Sequence, residues 1–227
     1  MLTRVLEPEV MDTAEEAADY DSMDHAAVNR CFVEDWGQFC QCQGLDPTAE
    51  QRMLDVGTGT ALIPIEFARQ FPRLSIVAID LAEEMLQRGR MNVAAAGFAD
   101  RIDLRFVDAK QSMSRSGEYQ TVVSNSIIHH IPEPLQCLQR MVQSLAPGGV
   151  LLVRDLYRPD SLEDVEQLVQ QYAAEATSRQ QQLFRQSFQA ALTVADVAEL
   201  LKQVGIPASA VRMTSDRHWT IAWRQTT

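Results

Sequence analysis

The chain has 227 residues, 46% of them hydrophobic, and a formal net charge of −11. Length and apolar content suit one α/β domain with additions and exclude a disordered chain. The acidic balance offers no basic face to a nucleic acid, and no apolar run approaches the roughly 20 residues of a membrane span, so neither partner is expected.

The opening residues, Met-Leu-Thr-Arg-Val-Leu-Glu-Pro-Glu, hold neither a long apolar core nor a cleavage site. No signal peptide is expected, and the expected compartment is the cytoplasm. The four cysteines, Cys31, Cys40, Cys42 and Cys137, match no zinc-ligand spacing, so reduced thiols and no metal are expected. Cys40 and Cys42 fall on different faces of the helix that carries them.

Thr13 to Tyr20 reads as a short helix, with Thr13 as N-cap and Glu16 completing a capping box. A second helix spans about His25 to Gln43, with Val28, Phe32, Trp36 and Phe39 on or near one face and Gly44 to end it. Strand and helix then alternate, the pattern of a parallel sheet. The expected strands are Arg52–Val56, Ser75–Asp80, Ile102–Val107, Thr121–Asn125 and Val150–Asp155. The helices between them are Ala61–Phe71, with Pro64 in its first turn, Leu81–Ala96, ended by Gly97, and Pro134–Leu145. Pro147-Gly148-Gly149 is the expected turn into the fifth strand. A helix follows from Ser161 to about Thr177, a polar patch at Ser178–Gln182 interrupts, and Leu183, Phe184 and Phe188 form a sparse apolar set. Thr193 and Asp196 open a further helix that ends near Gly205. Ala210–Met213 and Thr220–Trp223 close the chain as a hairpin. The whole is expected to be an N-terminal helical cap over 1–48 and a core over 49–227. That core is a doubly wound, mostly parallel α/β sheet of about seven strands with helices on both faces and an antiparallel C-terminal strand.

The stretch Met53-Leu54-Asp55-Val56-Gly57-Thr58-Gly59-Thr60-Ala61-Leu62 reads as strand, glycine turn and helix start. Glycine allows positive φ and a close ligand, and the first helical turn offers unpaired N–H groups. Asp55 ends a strand that should be buried, where a carboxylate needs a partner such as an ammonium. Asp80 ends the next strand, near the roughly 20-residue spacing of an acid that binds ribose hydroxyls. Leu62 stands where a dinucleotide fingerprint has its third glycine, and Asp55 would repel a pyrophosphate. A nucleoside without phosphates that carries positive charge fits, and S-adenosylmethionine has these features.

Asp-Val-Gly-Thr-Gly-Thr resembles the glycine motif of class I S-adenosylmethionine-dependent methyltransferases. Asp80, Val107-Asp108-Ala109, Val123 to Ile131 and Ala146-Pro147-Gly148-Gly149 continue the resemblance in order, over roughly Gln51 to Asp155. It implies that Asp55 and the backbone of Gly57, Thr58 and Gly59 hold the methionine end. It implies Asp80 for the ribose, Leu81 and Met85 along the adenine, Asp108 and Ala109 at its edge, and Asn125 and Ser126 near the sulfonium. Tyr20 and Met23, in a lid-like segment from Tyr20 to His25, would touch the methionine moiety. Asp80 and Asp108 could equally be helix caps or turn acids.

Methyl transfer is an in-line displacement, so the protein aligns nucleophile, methyl and sulfur and, where needed, takes a proton. Histidine suits that second task. His25, with Asn29 one turn on, and either His129 or His130 are the candidates; His218 reads as a hairpin residue. Arg154, with Arg158 or Arg185, can join the histidines as an anion clamp, or Arg154 pairs with a neighbouring acid. The expected reaction is methylation of a small, anionic acceptor, on oxygen. The alternatives are a carbon methyltransferase of quinone or lipid type and an inactive methyltransferase-like binding module. Intact glycines and Asp80 speak against the latter.

Overall fold

The structure is a computed structural model that describes residues 2–7, 12–23, 25–111 and 116–226. Asp24, inside the expected lid segment, lies outside the described residues. The helices are α1 (Ala14–Asp21), α2 (Ala26–Cys42), α3 (Leu62–Gln70), α4 (Glu83–Ala96), α5 (Leu135–Ser144), α6 (Leu162–Ala173), α7 (Ser178–Ala190) and α8 (Val194–Gln203). The strands are β1 (Gln51–Val56), β2 (Leu74–Asp80), β3 (Ile102–Phe106), β4 (Tyr119–Asn125), β5 (Leu145–Leu156), β6 (Val211–Met213) and β7 (His218–Arg224). They form one sheet in the order β3-β2-β1-β4-β5-β7-β6, the doubly wound mixed sheet that the alternation predicts. β1 pairs in parallel with β2 and β4, β2 with β3, and β6 pairs antiparallel with β7. None of the described helices is long and apolar enough to cross a membrane.

The chain divides into two compact units. One comprises Val10–Ser124, Gln136–Leu152 and Ala222–Thr227. Its core joins Phe32, Val33, Trp36 and Cys40 of α2 to Met53 of β1, Ile65 and Phe67 of α3, and Ile76 of β2. Trp36 meets Phe67 and Phe71 edge-on, with ring centroids 5.3 and 4.9 Å apart. A fully buried tryptophan of this kind stabilises by about 3–5 kcal/mol relative to alanine. The face read from Phe32 and Trp36 therefore packs into the same core as the first strand and helix of the alternating pattern. Cys40 is buried and Cys42 exposed, as their helical phase requires.

Register sets out the strand ends in this unit. Asp55 pairs with Ala78 and Val56 with Ile79, while Asp80 lies opposite Phe106 and Val56 opposite Ser124. The carboxyl ends of β1, β2 and β3 thus come to one edge, where open α/β sheets take their ligands. The Ser124 hydroxyl donates to the Val56 carbonyl at 2.8 Å and ties β4 to that edge.

The other unit comprises Met1–Glu9, Asn125–Leu135 and Val153–Ile221. Its core holds Leu156, Val165, Val169, Phe188 and Ala191. Here two expectations are corrected. The helix expected to reach Thr177 stops at Ala173, and the polar patch Ser178–Gln182 is the first turns of α7. Thr177 is extended (φ −62°, ψ 157°), and its side chain caps the Gln180 N–H in a capping box. Thr-x-x-Gln is therefore a helix start, and the polar residues cover its outer face. Phe184 and Phe188, one turn apart, pack with ring centroids 4.6 Å apart. In the first unit, Pro147-Gly148-Gly149 is a bend inside β5, not a turn before it. Gly148 takes φ +75°, and the Gly149 carbonyl still accepts from the Gln225 N–H at 2.8 Å.

Candidate active site

The loop after β1 is built from left-handed residues. Gly57, Gly59 and Ala61 take φ of +75°, +54° and +63°. The N–H groups of Gly57 and Thr58 both donate to the Ile79 carbonyl, at 2.9 and 3.0 Å, which folds the loop across the end of β2. Asp80 Oδ2 then accepts the Gly59 N–H at 2.7 Å, and its Oδ1 accepts the Ala82 N–H at 2.9 Å. Asp80 is thus the clamp of the glycine loop and holds the Ala82 N–H at the entry to α4. A carboxylate has about four lone-pair positions, so two such bonds leave acceptor capacity for ribose hydroxyls. Helix α4 approaches the loop closely because residue 89 is glycine. A Cβ there would stand 3.3 Å from the Ala61 Cβ and 3.4 Å from the Gly59 carbonyl oxygen.

Asp55 is buried, and its Oδ2 has no hydrogen-bond partner among the described residues. Burial pushes its carboxyl from 3.8 up to about 7, Thr58 offsets part of that, and Asp80 adds to it. Burial also raises the Asp80 carboxyl. Two elevated acids at neighbouring strand ends, one with an unpartnered oxygen, form a receptor for a ligand with a cationic end.

Above Gly59 stands Tyr20, whose ring carbon Cε1 is 3.9 Å from the position of a Cβ on that glycine. Tyr20 packs with Ala17, Ala82 and Met85. Burial, then Asp80 and Asp55, push its hydroxyl up to about 12, so it remains a neutral donor. Asp21 anchors this helix: its Oδ2 pairs with Arg88 Nε at 2.6 Å, and its Oδ1 accepts from Asn92 Nδ2 at 2.7 Å. Asn92 also donates to the Thr60 carbonyl at 3.1 Å. The His25 ring stacks on Tyr20 at 4.6 Å, and its Nε2 lies 3.2 Å from the Tyr20 carbonyl. A carbonyl only accepts, so Nε2 carries the proton and Nδ1 is the basic nitrogen.

In the other unit, Ser126 takes φ +60°, a strained value for a residue with a Cβ, and its N–H donates to the Arg154 carbonyl at 2.9 Å. The Asn125 amide donates to the Ser126 hydroxyl at 3.2 Å. Ile128, His129 and His130 then form a 3-10 turn. Asp155 binds its start: Oδ2 accepts the N–H groups of Ile128 and His129 at 2.5 and 3.2 Å, and Oδ1 accepts the Leu156 N–H at 2.6 Å. His129 Nδ1 lies 2.5 Å from Asp155 Oδ1, and its Nε2 lies 3.5 Å from Glu7 Oε1. His130 Nδ1 is 3.2 Å from the same Glu7 oxygen. Arg4 draws the N-terminal segment in. Its guanidinium donates to the carbonyls of Ala190, Pro132, His129 and Ile131 at 2.6, 3.0, 3.2 and 3.0 Å.

A family profile described as a methyltransferase domain matches residues 47–205. The chain belongs to that family. S-adenosylmethionine is its cofactor, and the buried, unpartnered Asp55 oxygen and the Asp80-clamped glycine loop fit that molecule's ammonium and ribose. The family match is joined by curated relatives. One is the ubiquinone/menaquinone biosynthesis C-methyltransferase of Geobacter sulfurreducens, 32% identical over 111 residues, 48% of this chain and 43% of the relative. Another is the malonyl-[acyl-carrier protein] O-methyltransferase of Halalkalibacterium halodurans, 25% identical over 64% of this chain and 53% of the relative. The chain spans about half the length of these curated relatives. The crystal structure of a SAM-dependent methyltransferase from Aquifex aeolicus superposes with a TM-score of 0.65 at 13% identity, covering 93% of this chain and 98% of that one. It shares the fold.

Within this methyltransferase the sequence-derived residues divide. Tyr20, Met85, Asp55, Gly57, Thr58, Gly59 and Asp80 gather around the glycine loop, and His25 stacks on Tyr20. Asp108 lies in the same unit with its Oδ1 on the Lys110 N–H at 2.9 Å. His129 and His130 come together with Glu7 and Asp155. Arg154 is buried with its Nε on the Thr220 hydroxyl at 3.1 Å. Arg158 is taken up by the Ala191 carbonyl and Asp196, and Arg185 by Glu166, so these two are engaged away from the histidines. His218 opens β7 with its Nδ1 on Ser215. Sequence reasoning missed Arg4, Glu7, Asp21, Asn92 and Gly89. Only Gly89, an isolated glycine inside a helical pattern, left a local signal.

Proposed function

We propose that this chain transfers a methyl group from S-adenosylmethionine to a small acceptor with an acidic hydroxyl, methylating the oxygen. The observation that carries the reading is the orphaned Asp55 oxygen beside the left-handed Gly57–Gly59 loop, with Asp80 seated on the Gly59 N–H. In this reading Asp55 pairs with the ammonium, the Gly57–Gly59 backbone lies along the methionine end, and Asp80 takes the ribose. Leu81 and Met85 line the adenine, and Asp108 and Ala109 meet its edge. The bound cofactor supplies an electrophilic methyl on a good leaving group. The chain's own residues supply alignment and a proton acceptor.

Tyr20, with Met23, is the inner face of a lid formed by α1, which Asp21 pins to α4 through Arg88 and Asn92. The wider cap over 1–48 reduces in this reading to α1 and the segment to His25. His25 is the base: with Nε2 on the Tyr20 carbonyl, Nδ1 is the nitrogen that takes the proton, and general-base help is worth about 10²–10⁴-fold. The cytoplasm suits four cysteines that are all free.

A second reading places the methyl on ring carbon ortho to the hydroxyl. The Geobacter sulfurreducens relative, named a C-methyltransferase, favours it. The same deprotonation activates either atom. Calorimetric titration of the folded chain with S-adenosylmethionine and S-adenosylhomocysteine tests the cofactor half. One equivalent of each is expected, and no binding by either would sink the enzyme reading. With methyl-13C cofactor and a panel of phenols, hydroquinones and carboxylic acids, the carbon shift of the product then separates oxygen from carbon transfer.

A further inference from the structure

We propose that Glu7, His129 and His130 form a binding site for a divalent transition-metal ion with zinc-like preferences. Their donor atoms, Glu7 Oε1, His129 Nε2 and His130 Nδ1, all lie within 4.8 Å of one another. Glu7 Oε1 stands 3.5 Å from His129 Nε2 and 3.2 Å from His130 Nδ1. Bonds of about 2.0–2.1 Å in tetrahedral arrangement put neighbouring ligand atoms about 3.3 Å apart, so the two separations that Glu7 makes are those of neighbouring ligands, and three ligands leave a fourth position open. Two imidazoles and one carboxylate are ligands that suit Zn2+, Fe2+ or Co2+.

The surroundings supply the independent argument. Asp155 Oδ2 is committed to the Ile128 and His129 N–H groups and Oδ1 to the Leu156 N–H, so the carboxylate is an acceptor for His129 Nδ1–H. That contact leaves Nε2 facing Glu7 Oε1 in a buried setting, where a proton, or a metal cation in its place, bridges the two. A carboxylate behind a histidine is also the usual outer partner of a metal-bound imidazole, where it sets tautomer and ring orientation. Glu7 has its own support, since Ser187 Oγ donates to Oε2 at 3.3 Å and leaves Oε1 for the ion. All of these residues belong to one compact unit. The ion would tie the segment 2–7 to the turn after β4, a role that does not depend on methyl transfer.

The test uses the full chain, stripped with a chelator. It is titrated with Zn2+ against a chromophoric competitor and with Co2+ followed by visible absorption. One tight equivalent is expected, with Co2+ bands of low-coordinate nitrogen and oxygen ligation. Glu7→Gln and His130→Ala should each weaken Zn2+ at least about 100-fold, more than loss of an outer partner does, with unchanged far-ultraviolet circular dichroism. A Cys31→Ser, Cys42→Ser double variant, which removes the two exposed thiols, should keep the affinity. On the unaltered chain, long-range 1H–15N spectra should show Zn2+ moving His129 Nε2 and His130 Nδ1. The proposal is overturned if the folded chain takes up neither ion, if both ligand variants keep the affinity, or if the ring shifts fall on His25 or His218 alone.

Discussion

At the glycine loop the acids come from one continuous βαβ stretch, and a carboxylate oxygen of Asp55 is left without a protein partner. At the histidine turn the polar groups come from three separated segments, and Asp155 is bonded through both oxygens to the chain itself. The difference teaches what each is for. Polar capacity left open at a strand end invites a ligand, whereas capacity consumed by backbone N–H groups fixes a conformation and presents the few atoms that remain. Both start from buried carboxylates, and partners alone separate them.

The largest effect should come from the saturated region. Asp155→Ala leaves three N–H groups and a histidine buried without their acceptor and should lower stability by about 3–5 kcal/mol in urea unfolding. A loss below about 1 kcal/mol would mean that the turn does not depend on it. At the glycine loop the same kind of change removes the acceptor of the Gly59 and Ala82 N–H groups and strikes the ligand as well. Asp80→Ala should weaken S-adenosylmethionine about 10–100-fold by calorimetry, the range for hydrogen bonds to a charged group. Unchanged affinity would remove the ribose role.

Asp55 sharpens the contrast through pH. Its folded carboxyl is raised from 3.8 to about 7, so the cofactor-free fold holds an extra proton between those values. Its contribution to stability is full below about 4 and is lost as pH rises through about 7. A cationic ligand reverses the preference. Cofactor affinity should rise with pH up to about 7 and then level, with proton release visible as a buffer-dependent heat. Asp55→Asn should flatten both dependences. A smaller effect is expected at the lid: Asp21→Ala frees Arg88 and Asn92 and should weaken cofactor binding a few-fold, about 1 kcal/mol. Smallest of all, Arg185→Ala breaks an exposed pair with Glu166 and should change stability by no more than about 0.5 kcal/mol, with turnover unchanged. A loss of turnover there would restore Arg185 to the acceptor clamp.

The glycine loop was legible because its logic is local. A run of β-forming residues, an acid, two glycines and a helix start lie within ten or so positions, and backbone sterics translate them directly into a turn. Capping boxes at Thr13 and Thr193 were equally readable, Ser161 was read only as a helix start, and the box at Thr177 was hidden behind a polar run. The histidine turn was half legible. His129 and His130 stood out as chemistry, but the partners that determine their protonation did not.

By itself, then, the sequence determined the order and type of the elements apart from α7, the strand-end placement of Asp55 and Asp80, and the family. Periodicity and chain connectivity act over a few residues or one βαβ unit, and that suffices. Tertiary structure alone decided which polar groups meet. Arg4 and Glu7 lie in a stretch with no periodicity, yet four carbonyls hold Arg4 and a single oxygen of Glu7 faces two imidazoles. Burial energies and hydrogen-bond saturation belong to the assembled environment, so no local pattern in the chain announces them.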